Sequence, residues 1–187
     1  MFILAVTPGT GFDAARWQAV LESGVDGLLI REPGMEAKAL LAAARWCRAA
    51  APQVELWVRE RLDVALAAGC GVHAPEGYPE IPGGLLPVSR PLHAEAQLPA
   101  RQGCHQLLVS PVFETPGKGP AWGAPRLHRF LDTVPPGPRI LALGGVTADN
   151  AAALRHPRLD GVALIRGLWD AALTAVAVAA LRESASR

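Results

Sequence analysis

Short apolar runs alternate with helix-length amphipathic stretches along all 187 residues, and that alternation limits the fold more than any other feature. Residues 2–7 predict a strand, and residues 12–23 a helix with Trp17, Val20 and Leu21 on one face. The pairing recurs at 27–31 with 35–51, and at 55–59 with 62–68. A strand at 71–73 leads into a Pro- and Gly-rich loop over 75–84, then a strand at 85–89 and a helix at 91–102. Strand 106–110 enters a long loop ending at Gly123, followed by helix 124–134. Strand 139–144, short helix 150–156, strand 161–165 and helix 168–184 complete the chain. Repeated strand–helix units imply a parallel sheet buried on both faces, which explains runs such as Gly27-Leu-Leu-Ile30. Eight units predict an α/β chain forming a single compact (β/α)8 TIM barrel over residues 1–187. At about 23 residues per unit it is shorter than the usual ~250-residue barrel. A doubly wound open sheet is the competing fold, but a Rossmann start needs GxGxxG, and Pro8-Gly9-Thr10-Gly11-Phe12 lacks it.

Charge and cysteine usage narrow the partners. Eighteen Lys and Arg against 17 Asp and Glu leave a net charge of +1, too little for a nucleic-acid footprint. Three cysteines without a CxxC pair argue against a disulfide framework or a zinc site and suit a reduced, cytoplasmic setting. The first residues lack a basic leader, and the apolar stretch 171–181 is too short to span a bilayer. We therefore expect a soluble protein without membrane or nucleic-acid partners. Packing of that last apolar helix on a second copy would make a homodimer.

In such barrels the active site lies at the C-terminal strand ends. Those positions hold Thr7, Arg31-Glu32, Arg59-Glu60-Arg61, His73, Ser89-Arg90, Ser110, Gly144-Gly145 and Arg166-Gly167. Glycines after the seventh and eighth strands suit a phosphate site, because backbone N–H groups can approach an anion where no side chain intervenes. A plain Gly-Gly turn before a helix capped by Thr147 would read the same way. Lys118, one of only two lysines, sits in the Gly-rich long loop, where it could reach a phosphate or carboxylate or simply meet solvent. His73 ends the fourth strand pointing inward, either as a general acid or base or as a hydrogen-bonded core histidine.

These motifs, in this order, resemble the thiamine phosphate synthase/TenI superfamily from about Leu28 to Leu168. The matching stretches are Ile30-Arg31-Glu32, Arg61-Leu-Asp-Val-Ala-Leu-Ala67, Gly71-Val-His73, Pro111-Val-Phe-Glu-Thr-Pro116 with Lys118, Ala142-Leu-Gly-Gly-Val146 and Gly161-Val-Ala-Leu-Ile165. The resemblance implies one of two activities. A synthase joins a pyrimidine pyrophosphate to a thiazole phosphate with magnesium; a TenI-type tautomerase aromatises a thiazole phosphate carboxylate without metal.

Departures from the synthase pattern lean toward TenI. Leu29 and Pro33 stand where synthases resemble Gln-Leu-Arg-Glu-Lys, and Arg59-Glu60-Arg61 replaces Asn-Asp-Arg, whose aspartate holds magnesium. Ala74-Pro-Glu-Gly-Tyr78 replaces the run carrying the second metal carboxylate, and Gly117 removes a pyrophosphate hydroxyl. The thiazole phosphate half is kept. TenI-like proteins often carry a histidine before Val-Phe in the long loop, where this chain has Pro111. His73, Glu60 and Glu114 are the remaining catalytic candidates. Arg31, Thr115, Lys118, Gly144, Gly145, Arg166 and Gly167 are the expected substrate and phosphate contacts, Arg31 holding a carboxylate. We expect a metal-independent thiazole tautomerase without cofactor. The alternatives are a divergent magnesium-dependent synthase, a non-catalytic binder of thiazole or thiamine phosphate, and another phosphosugar isomerase.

Overall fold

Runs of three to five apolar residues suit parallel strands buried on both faces, and the computed structural model closes them into one sheet. It describes residues 1–170 and 173–186. Eight parallel strands close in sequence order: β1 (Phe2–Val6), β2 (Gly27–Ile30), β3 (Glu55–Arg59), β4 (Gly71–His73), β5 (Val88–Leu92), β6 (Gln106–Val109), β7 (Arg139–Leu143) and β8 (Gly161–Leu164). β8 returns to pair with β1, Phe2 lying opposite Gly161. The open doubly wound sheet is thereby excluded.

The pleat divides the apolar residues into two cores. Leu4, Val6, Leu29, Trp57, Leu108, Leu141 and Ala163 fill the bore of the barrel. Their strand neighbours, such as Ile3, Leu28, Val58 and Ile140, face outward and pack beneath the helices. One large ring and one close backbone approach leave no room for a side chain beside them. A Cβ on Gly71 would stand 2.3 Å from the Trp57 ring, and one on Gly161 would stand 1.9 Å from the Phe2 carbonyl oxygen.

The outer layer comprises α1 (Ala14–Glu22), α2 (Ala37–Ala50), α3 (Leu62–Ala68), a 3-10 helix (Glu95–Arg101), α4 (Gly123–Thr133), α5 (Ala148–Ala151) with a 3-10 extension (Ala152–Leu154), and α6 (Thr174–Ser186). Helical spacing explains which faces are buried: α2 turns Leu40, Ala43, Ala44 and Cys47 inward. α1 starts later than its apolar pattern because Asp13 caps it, accepting a hydrogen bond from the Arg16 N–H at 3.1 Å.

Four further elements differ from the sequence reading. The fifth strand runs from 88 to 92 rather than 85 to 89, and the predicted helix 91–102 shrinks to the 3-10 turn. Pro91 reads as a helix opener, yet it sits inside β5 opposite Leu108. β4 pairs with β5 only at Val88 and Ser89, so the N–H that proline lacks has no β4 partner to lose. The short seventh helix starts earlier, at Ala148, after Thr147, whose N–H bonds the Asn150 side-chain oxygen at 2.9 Å. The last helix starts at Thr174 rather than 168, because Leu168 and Trp169 turn into the core, the Trp169 indole N–H donating to the Val6 carbonyl at 2.8 Å. Residues 171 and 172, part of the predicted helix 168–184 and of the apolar stretch 171–181, lie outside the described residues. Among the described residues no helix is long and apolar enough to cross a membrane. Burial pushes the free thiols of Cys47 and Cys70 up to about 12 and about 11, so both stay protonated at neutral pH.

Candidate active site

At the C-terminal ends of β7 and β8 the chain turns through Gly144 (φ +100°), Gly145 (φ +67°) and Gly167 (φ +89°). Only glycine enters such conformations without strain. The long loop after β6 lies directly over the first two: the Val112 N–H donates to Leu143 and the Phe113 N–H to Gly144, both at 2.9 Å. A Cβ on Gly145 would meet the Phe113 Cβ at 2.7 Å. This close approach forms a cavity of about 420 Å³. Glu114, Thr115, Gly144, Gly145, Arg166 and Gly167 line it, and Leu143, Ala163, Ile165, Ala177 and Leu181 supply apolar lining. Backbone donors, one guanidinium and an apolar lining can hold a phosphomonoester against an apolar ring.

The other predicted residues lie elsewhere. Lys118 is exposed on the loop, turned by its N–H to the Thr115 carbonyl at 3.1 Å, and does not line the cavity. Arg31 follows β2 and is half-buried; its N–H donates to the Thr7 hydroxyl at 2.7 Å. Glu60 follows β3 with φ +64°, a rare conformation for a non-glycine residue and one that concentrates at functional sites. Its carboxylate is 2.9 Å from the Arg59 guanidinium, and its backbone N–H donates to the His73 carbonyl at 3.0 Å. Glu60 and His73 are therefore neighbours, whereas Glu114 belongs to the cavity.

His73 points into the bore, its Nδ1 3.0 Å from the Ser89 hydroxyl. Burial, reinforced by the nearby charges of Arg59 and Arg90, holds its pKa down at about 3. The ring is neutral at physiological pH. Sequence reasoning placed Ser89 at a strand end but missed Gln106, whose amide donates to the Ser89 hydroxyl at 3.3 Å, deep inside the barrel. The available signal was a polar residue at an inward pleat position on two adjacent strands, but it becomes readable only once β5 has its true register. Glu32, placed by sequence at the end of the second strand, has a supporting role. It is buried, and its carboxylate accepts the N–H groups of Gly9 (3.1 Å) and Gly11 (2.7 Å), shaping the loop after β1.

Magnesium, implied by the synthase resemblance, needs oxygen ligands gathered in octahedral geometry. Among the described residues no three His, Cys, Asp or Glu side chains are grouped to hold an ion. Glu60 is engaged by Arg59, and Glu76 accepts from the Gln97 amide at 2.5 Å. Each of these two carboxylates is already paired, whereas a magnesium bridging a substrate pyrophosphate would need one or two carboxylates beside the phosphate oxygens.

A closed barrel of eight parallel strands, with a glycine-lined cavity at its C-terminal face, places this protein among the (β/α)8 barrels. The chain belongs to the thiamine monophosphate synthase family, whose model matches residues 3–168. The thiamine-phosphate synthase of Roseiflexus castenholzii is 32% identical over 187 residues, covering 90% of this chain and 79% of the relative. That of Methanoculleus marisnigri is also 32% identical, covering 93% and 87%. Among solved structures, a thiamine phosphate pyrophosphorylase from Pyrococcus furiosus superposes with a TM-score of 0.85 at 20% identity, over 99% of this chain and 95% of the other. A 3-keto-L-gulonate-6-phosphate decarboxylase from Vibrio cholerae gives 0.68 at 14% identity, covering 100% and 97%. At such identities the structural likeness shows the fold.

Proposed function

We propose that this protein works in thiamine biosynthesis on a thiazole phosphate, joining it to a pyrimidine pyrophosphate as a thiamine-phosphate synthase. The observation that carries the reading is the cavity of about 420 Å³ between the loops after β6, β7 and β8. Its glycine backbones and Arg166 suit a phosphate, and its apolar lining suits a small heteroaromatic ring. The relatives named above support the transferase over the isomerase expected from sequence. Incubating the purified protein with both substrates, with and without added magnesium, tests it. Thiamine phosphate formation supports the reading, and no product at saturating substrates removes it.

A second reading, the metal-independent thiazole tautomerase, is favoured by one observation: Arg59 occupies the Glu60 carboxylate at 2.9 Å, where a synthase would present an aspartate to magnesium. In that reading Glu114, lining the cavity, is the group placed to move a proton. Ultraviolet absorbance of the unaromatised thiazole phosphate carboxylate in the presence of EDTA tests it: rapid conversion supports it, and conversion at the uncatalysed rate ends it. Under either reading the partner is a small phosphorylated heterocycle.

A further inference from the structure

Four adjacent strands place His73, Ser89, Gln106 and Arg139 directly opposite one another in register. All four side chains are polar, in a bore otherwise filled by leucine, alanine, valine and tryptophan. One ordering satisfies every donor among them. Arg139 donates to both oxygens of Glu55, from β3, at 2.7 and 2.8 Å. Its Nη1 also reaches the side-chain oxygen of Gln106 at 3.5 Å, a long contact whose direction is nevertheless unambiguous. A guanidinium can only donate, so the amide oxygen of Gln106 faces Arg139 and its NH2 faces Ser89. The Ser89 oxygen accepts from that NH2 at 3.3 Å, and among the described residues the only other partner of the hydroxyl is Nδ1 of His73, 3.0 Å away, so the hydroxyl hydrogen is satisfied only by donating to it. An Nδ1 that accepts is unprotonated, so the neutral ring carries its hydrogen on Nε2. Among the described residues Nε2 has no hydrogen-bond partner. His73 ends β4 at the mouth, opposite Arg59.

We propose that this one-way chain, running from Glu55 through Arg139, Gln106 and Ser89, fixes the tautomer of His73, so that the ring presents its Nε2–H as a donor to an acceptor atom of the bound ligand. Ser89 and Gln106 are then positioning residues, acting through His73 on the site. That the acceptor belongs to a phosphorylated heterocycle rests on the function proposed above; the tautomer does not.

The test is two-bond proton–nitrogen NMR of the ligand-free protein with 15N-labelled histidine, His73 being assigned by the signals lost in His73→Gln. The expected pattern is a protonated Nε2 with an unprotonated Nδ1. Gln106→Glu replaces the donating NH2 by a second acceptor, which turns the Ser89 hydroxyl toward the new carboxylate. Nδ1 must then donate, so the tautomer switches to Nδ1–H. Ser89→Ala removes the partner altogether, and the pure Nε2–H pattern gives way to a mixture of tautomers. This variant serves where Gln106→Glu does not fold. A wild-type ring protonated on Nδ1, or a pattern unchanged in a folded variant, overturns the proposal. Absence of synthase activity would sink the function while leaving this result intact.

Discussion

The backbone N–H of Phe113 donates to the carbonyl of Gly144 at 2.9 Å, binding the long loop after β6 to the glycine pair after β7. Loop and cavity therefore form one unit.

Gly145 should be the most sensitive position of that unit. Gly145→Ala forces a positive φ on a residue with a Cβ and drives that Cβ to within 2.7 Å of Phe113. Strain of this kind costs about 1–3 kcal/mol. We expect a lower urea midpoint and phosphate-ligand affinity weakened by about tenfold or more, which is ~1.4 kcal/mol. Calorimetric titration with the thiazole phosphate, beside denaturation curves, reads both.

Arg166 is exposed on the lip of the cavity. Its replacement by Gln should leave thermal stability unchanged and raise KM by about tenfold with kcat nearly constant, the pattern of an interaction equal in ground and transition states. Arg166→Lys should recover part of the loss. A fall in kcat at constant KM would place Arg166 in the chemistry instead.

Glu32 holds two backbone donors with a buried carboxylate. Glu32→Ala removes the acceptor of the Gly9 and Gly11 N–H groups; Gly9 is exposed and Gly11 half-buried, so water takes over part of the bonding and the net loss is about 0.5–1.5 kcal/mol per hydrogen bond. Hydrogen exchange should accelerate at those two amides first, with a lower urea midpoint, while amides on the far side of the barrel keep their protection.

His73 should link stability to pH. In the unfolded chain it takes up a proton below about 6.5, whereas the folded ring stays neutral until about pH 3. Between those values the unfolded state binds the extra proton, so stability falls as pH falls, by at most ~1.4 kcal/mol per pH unit from this group. Subtracting the unfolding free energies of His73→Gln from those of the native chain, from pH 7 down to 4, should isolate that slope. A flat difference would mean that the folded ring takes up its proton over the same pH range as the unfolded one.

The barrel was legible because alternation of apolar runs with amphipathic stretches is a local property, and residues such as Ile3 and Leu28 meet its demands without knowledge of distant neighbours. The glycines after β7 and β8 were legible too, since backbone approach needs glycine wherever it occurs. Pro91 misled because its local preference for opening a helix was overridden by pairing with β6. The polar chain behind His73 was hidden for the same reason: a strand displaced by three residues exchanges its inward and outward faces, and Ser89 meets Gln106 only in the true register.

By itself the sequence determined the eight-unit barrel, the family and the position of the glycines after β7 and β8, all encoded in short contiguous segments. Only the tertiary structure decided that Glu114 shares a cavity with Arg166, that Lys118 stands apart from it, that Arg59 holds Glu60, and that His73 is held neutral. Each of these depends on register and burial, set by strands far apart in the chain and by the exclusion of water from the bore.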